Sequence, residues 1–163
     1  MRNLKMYAKE CMTELDNIGI EYGNIIEFRI NTRAKKQWGS CKAVPSGYLI
    51  DISAVLLDEK NDEQGLKNTI IHELLHSCKG CMNHGKNWKY LAQKVNDAYG
   101  YNIKRVTSYE EKGVLEETKP VANHKVICLG CGCVYTRIKA SKLITNTSRY
   151  RCGYCHGELK LEY

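Results

Sequence analysis

His72 and His76 stand four residues apart with a carboxylate between them, in His72-Glu73-Leu74-Leu75-His76. On an α-helix that spacing places both imidazoles on one face, one turn apart, where they can reach the same metal ion. Glu73 lies at the margin of that face. The chemistry suited to the set is hydrolysis: the histidines hold Zn2+, the ion brings the pKa of a bound water down toward neutrality, and the Glu accepts the water's proton and passes it to the departing amine. A catalytic zinc takes three protein ligands and keeps a fourth position open. The third is expected to be His84, eight residues past His76 and beyond the helix stop at Gly80, where the chain can turn back toward the metal. This is not the metzincin spacing, and no downstream Glu presents itself with comparable force. A five-residue pattern fixing three positions also arises by chance. Against coincidence stand the apolar setting of Ile70-Ile71 and Leu74-Leu75 and the presence of His84.

A second set is built from cysteine. Cys128-x-x-Cys131 and Cys152-x-x-Cys155 are separated by twenty residues, the spacing at which two knuckles close on a tetrahedral structural zinc. Residues 123–163 offer too little apolar core to fold without that ion. Cys133, His124 and His156 are spares, and Cys133 is an alternative to Cys131 as ligand. A third pair, Cys78-x-x-Cys81, falls between His76 and His84 and has two readings. Cys78 is a small buried residue and Cys81 a loop residue; or the Cys81 thiolate competes for the open zinc position or pairs with Cys78, so that oxidation gates the site.

The elements that must hold these residues follow from periodicity. Leu4, Tyr7, Ala8, Cys11, Met12, Leu15 and Ile18 recur at helical spacing until Gly19. Ile25 to Ile30, Gln37 to Ala43 and Tyr48 to Ser53 are β-prone runs, the last two separated by Pro45-Ser46-Gly47, and they predict a small antiparallel meander. Asn61-Asp62-Glu63-Gln64 opens the helix that carries the histidines, with Leu66, Ile70, Ile71, Leu74, Leu75 and Cys78 on its apolar positions. A further helix is expected from about Lys86 to Ala98, ended by Gly100. Residues 107–122, with Glu110-Glu111-Lys112-Gly113 and Glu116-Glu117-Thr118-Lys119-Pro120, lack a period and read as linker. The expected class is therefore α+β: a domain over residues 1–106, a linker over 107–122 and a small β-type ribbon over 123–163.

Composition limits the partners. No stretch of about 18 apolar residues occurs and no secretory leader is visible, so neither a membrane span nor export is expected. That leaves the cytoplasm, with association with nucleoid DNA compatible. Nine cysteines in such a chain favour metal over disulfides. The net charge of +7 is unevenly spread: residues 121–163 hold seven Lys and Arg against two acids. Arg137, Lys139, Lys142, Arg149 and Arg151, interleaved with Tyr135, Tyr150 and Tyr154, suit contact with single-stranded or junction DNA.

Ile71-His72-Glu73-Leu74-Leu75-His76 followed by His84-Gly85-Lys86-Asn87-Trp88-Lys89, the upstream Trp38-Gly39-Ser40-Cys41 leading into Tyr48-Leu49-Ile50-Asp51-Ile52, and the cysteine-paired ribbon together resemble the SprT-like metallopeptidases, to which the Spartan proteases belong. The resemblance implies a minimal zincin, helices packed on a small sheet, with His84 as third zinc ligand and a substrate backbone laid along a sheet edge. It also implies protein substrates associated with or crosslinked to DNA, as for the family's eukaryotic members. The expected function is then a zinc metalloendopeptidase with Glu73 as catalytic residue, one catalytic zinc on His72, His76 and His84, and one structural zinc on Cys128, Cys131, Cys152 and Cys155. The alternative is a non-catalytic, zinc-binding nucleic-acid or transcription-associated factor. Glu73 speaks against it, because a purely structural site needs no carboxylate beside its ligands.

Overall fold

Ten of the fourteen residues of the central helix, Glu63–His76, are buried. Leu66, Ile70, Ile71, Leu74 and Leu75 are fully so. Each such side chain contributes about 1.5–3 kcal/mol on leaving water, so this helix is the element around which the first unit condenses. In this computed structural model, residues 1–34, 37–114 and 122–162 are described. The chain divides into two units, Met1–Lys119 and Pro120–Tyr163.

In the first unit, helix α1 (Leu4–Asn17) starts where the Asn3 side chain accepts from the backbone N–H groups of Lys5 and Met6, and ends before Gly19 at φ +65°. Its Leu4, Tyr7, Ala8, Cys11 and Leu15 are buried. Strands β1 (Ile25–Asn31), β2 (Gly39–Val44) and β3 (Gly47–Ser53) form one sheet in the order β1-β3-β2. β2 and β3 make the expected antiparallel hairpin, but β1 runs parallel to β3. Alternation in a sequence fixes which face a residue takes and not the direction of its neighbour. Here the most buried strand, β3 with Ile50 and Ile52, takes the centre. Asp51 on β3 ties both neighbours, accepting from Arg29 at 2.8 and 2.9 Å and from Ser40 at 3.4 Å. Among the described residues β2 is left with one unpaired edge.

The central helix α2 (Glu63–His76) is capped by Asp62, whose side chain accepts from the Gln64 N–H, one residue later than a cap at Asn61 would place it. Helix α3 (Lys86–Tyr99) ends at Gly100 in the left-handed region, as expected, and buries Trp88, Ala92 and Val95. The chain leaving α3 is clamped: Asn96 exchanges hydrogen bonds with both backbone groups of Ile103, and Asn68 on α2 accepts from the Asn102 N–H at 3.1 Å.

The segment expected as linker behaves differently in its described part. Residues 109–114 fold back over the first turn of α2, burying Lys112 and Val114. The Asp62 N–H donates to the Gly113 carbonyl at 3.0 Å, and Tyr109 packs edge-on against Trp38. Gly65 permits this approach, since a Cβ there would lie 2.0 Å from the Lys112 carbonyl oxygen. The contacts bridge residues more than forty apart, and nothing local announces them. Residues 115–121 of that segment lie outside the described residues. Gly65→Ala is expected to overpack this contact, costing about 1–3 kcal/mol, or on the order of 5 °C or more of melting temperature for a unit of this size. Calorimetry on the full chain reads this, and an unchanged transition would mean that the docking contributes nothing.

In the second unit, β4 (His124–Cys128), β5 (Val134–Arg137) and β6 (Leu159–Glu162) form an antiparallel sheet in the order β5-β4-β6, with a short helix α4 (Lys142–Thr145). Its buried apolar core is Val126, Cys128, Ile144, Cys152 and Leu159. Five residues are too few to hold such a sheet unaided.

Candidate metal centre and catalytic cleft

α2 presents His72 and His76 on one face, and the turn before α3 brings His84 to them. The ligand atoms of the three lie within 4.8 Å of one another, and Nε2 of His72 and His84 are 3.0 Å apart. Tetrahedral Zn–N bonds of about 2.0–2.1 Å require ligand separations of this order. His76 Nδ1 donates to the Cys81 carbonyl at 2.8 Å, which fixes the ring's orientation and leaves Nε2 free as a ligand. Burial, then the charges of His76 and His84, push His72 down to about 3, and burial also lowers His84. Imidazoles that refuse a proton are in the state a metal needs. Behind the cluster, Trp88 packs against all three rings, with centroids at 4.7, 5.7 and 4.6 Å from His72, His76 and His84.

The pair Cys78 and Cys81 is free and buried. Cys81 serves the cluster through its backbone carbonyl, while its Sγ faces the Lys79 carbonyl at 3.7 Å. Neither sulfur belongs to the three-histidine group. That arrangement agrees with the reading of Cys78 as a buried residue and Cys81 as a loop residue.

Glu73 is 6% exposed and stands outside the ligand group. Strand β2 passes directly over it: a Cβ on Gly39 would lie 2.7 Å from Glu73 Cγ and Oε1. Glycine in Trp38-Gly39-Ser40-Cys41 thus has a steric reason. Burial raises Glu73 to about 8, opposed by the charge of Lys112. Lys112, 4% exposed, is lowered by burial to about 8, with Glu73 and Glu111 acting against the shift. Both groups line a cleft of about 250 Å³ with Trp38, Thr69, His72 and the chain at residues 104–107. Reading the sequence singled out neither Thr69 nor the cations Lys104, Arg105 and Lys112; for Lys112 the reason is that Glu110-Glu111-Lys112-Gly113 has the pattern of a solvated charge run.

In the second unit Cys128, Cys131, Cys152 and Cys155 converge within 4.8 Å, with Sγ pairs at 3.4 and 3.5 Å. Cys133 is outside the group. Its carbonyl accepts from the Cys128 N–H and its side chain packs on the small core. The two knuckles match: Gly132 and His156, each following a second cysteine, both adopt positive φ and donate back to the carbonyls of Cys128 and Cys152 at 3.0 Å. The Tyr135 hydroxyl lies 3.1 Å from Cys152 Sγ and accepts from the Gly153 N–H. That hydroxyl holds the Cys152 thiol well below its ordinary range. Tyr135 is thereby committed to the metal cluster and is not an open stacking surface. Tyr154, at 79% exposed, is one. Arg137, Lys139, Lys142, Arg149 and Arg151 are all exposed. Loss of an outer-shell partner costs about 10–100-fold in metal affinity. Tyr135→Phe should therefore release a metal ion held by the four cysteines to a chromogenic chelator correspondingly faster, and equal rates would deny Tyr135 this role.

Both clusters suit zinc by donor set: three imidazoles beside a cleft, and four sulfurs closed on themselves. Among the described residues no helix is long and apolar enough to cross a membrane. The SprT-like family model matches residues 7–109, a span that includes all three histidines, Glu73 and Trp38-Gly39-Ser40-Cys41. A curated relative from Streptococcus mutans, "Protein SprT-like", is 29% identical over 164 aligned positions, which cover 97% of this chain and 96% of the relative. A Staphylococcus aureus protein of the same name is 28% identical over 109 positions, covering 64% of this chain and 62% of its own length. Family model, full-length similarity and the residues brought together by α2 agree, and the chain belongs to the SprT-like family.

Proposed function

We propose that this chain is a zinc metalloendopeptidase that cuts proteins bound or crosslinked to DNA, with the ribbon as its DNA contact. The observation that carries the reading is Glu73: a buried carboxylate outside the ligand set, beside three converging imidazoles and at the wall of a cleft. Zinc on His72, His76 and His84 would supply Lewis acidity toward the scissile carbonyl and a lowered pKa for water in its open position. A second, structural zinc would be held by Cys128, Cys131, Cys152 and Cys155. Glu73 takes the proton from the attacking water and returns it to the leaving amine. The cover formed by Gly39 and Trp38 limits the water that reaches it. The edge of β2 that no described residue pairs, which begins at Gly39 beside Glu73, can pair with an extended substrate backbone.

For DNA, the exposed cations of the ribbon and the free ring of Tyr154 support single-stranded or junction binding through phosphate contact and base stacking. The test is one preparation assayed for metal content and for proteolysis of a DNA-binding protein, with and without single-stranded DNA and across a salt series. Two zinc per chain and cleavage that DNA stimulates and salt suppresses are expected. No cleavage by chain carrying two zinc would overturn the peptidase, and cleavage indifferent to DNA and salt would remove the DNA assignment.

A further inference from the structure

Hydrolysis as described uses Glu73 and the histidines, yet the cleft lined by Glu73 and His72 holds three further cations. Lys104, Arg105 and Lys112 line it, and Glu73 is the one acid among its described lining residues. Lys104 is engaged by Glu111 at 2.8 Å, and Arg105 is exposed at the rim. Lys112 is different in kind, because its ammonium is buried and built in. The docking of residues 109–114 on Gly65 and Asp62 fixes its backbone, and its Nζ donates to Thr69 Oγ1 at 2.8 Å. The Thr69 hydroxyl donates in turn to the Gly65 carbonyl at 2.8 Å.

An ammonium has three donors. Among the described residues Thr69 accepts one, and Lys112 and Glu73 line one cleft without closing into an ion pair. A buried cation with spare donors, facing a cavity next to the reacting centre, is a receptor for an anion that arrives from outside.

We propose that Lys112, supported by Arg105 at the rim, receives a carboxylate of the protein substrate: an Asp or Glu side chain flanking the scissile bond, or the substrate's C-terminal carboxylate. The inference rests on the peptidase reading and names what the peptidase selects. A cavity of about 250 Å³ between Trp38 and residues 104–107 admits a side chain or a chain end. It adjoins Glu73, so its occupant belongs to the chain being cut. Cations in that position turn a general hydrolytic centre into one that prefers acidic sequence, a preference distinct from that of the basic ribbon.

The test uses the full chain, loaded with zinc and carrying Glu73→Gln, so that binding is read without turnover and a failure of the peptidase reading leaves it interpretable. Fluorescence anisotropy is measured for labelled peptides that differ only as Asp against Asn at each position around the scissile bond, and for one peptide as free acid against amide. A charge-assisted contact predicts about tenfold or greater preference for a charged member. The Asp/Asn and acid/amide arms tell side chain from chain end. In Lys112→Met the preference should fall to within about twofold, and in Lys112→Arg it should persist in part. Far-UV circular dichroism checks folding, and Lys112→Gln replaces the Met variant should that one fail to fold. Equal binding of charged and neutral peptides overturns the proposal, as does a preference that survives loss of the Lys112 charge. Displacement of both members of a pair by an oligonucleotide, with no preference between them, would reassign the cation to phosphate.

Discussion

Glu73→Gln should leave the chain's metal content unchanged and lower peptide hydrolysis by about a thousandfold, within the range that general acid–base groups supply. The amide keeps the shape that packs under Gly39, but it cannot take the proton from water. Metal content by atomic emission and initial rates on one quenched-fluorescence peptide check both halves. A rate within tenfold of wild type would remove Glu73 from the chemistry. The same substitution has a second readout in metal-free protein. Folded Glu73 titrates at about 8 against an ordinary 4.5, so between those values the folded chain keeps a proton that the unfolded chain has released. Stability from this group therefore falls as pH rises from about 4.5 to 8. Glu73→Gln removes the fall, so the metal-free variant should melt above metal-free wild type at neutral pH, and the two should converge near pH 4. His72, lowered to about 3, acts oppositely between about 3 and 6.5, and Lys112, lowered to about 8 from 10.5, acts only above the window. His72 is common to both proteins and drops out of the comparison; Lys112 does not, because the Glu73 charge that opposes its shift is absent from the variant, so the difference is read at pH values below the titration of Lys112.

The second large effect concerns the ribbon. Structural zinc contributes about 10–16 kcal/mol of binding free energy to small domains that are unfolded without it. With a core of Val126, Cys128, Ile144, Cys152 and Leu159, this sheet has nothing of comparable size to replace it. Cys152→Ser should therefore reduce the metal content from two ions to one and abolish amide-exchange protection in β4, β5 and β6. The α2 amides should keep theirs, because Leu66, Ile70, Ile71, Leu74 and Leu75 are held by burial and not by an ion. Protected amides in the second unit of the variant would show that its core suffices.

Much of this was legible in the sequence because it is written at short range. The four-residue offset of His72 and His76, the turn at Gly80 before His84 and the two Cys-x-x-Cys knuckles each encode a local geometry, and the helices announce themselves through their apolar period. Two features escaped for the same physical reason. The direction of β1 beside β3 and the burial of Lys112 are set by partners far away in the chain: β3 takes the centre because it is the most buried strand, and Gly65 admits a backbone that arrives more than forty residues later. Tyr135 shows a related limit. Its spacing among Arg and Lys suggested a stacking ring, and only the fold reveals that its hydroxyl belongs to Cys152.

The docking of residues 109–114 bears on where this protein can be cut. Every histidine of the metal centre lies before residue 85, and the family match ends at Tyr109, so a truncation planned from ligands or from similarity would stop short of Gly113 and Val114. Such a fragment would retain its three-histidine group while exposing the first turn of α2 and losing one wall of the cleft. Expressed alone, it would keep the metal-binding residues without the surroundings that bury Glu73 and Lys112. The smallest faithful piece of the first unit therefore runs at least to Val114, and fusions or deletions belong beyond it.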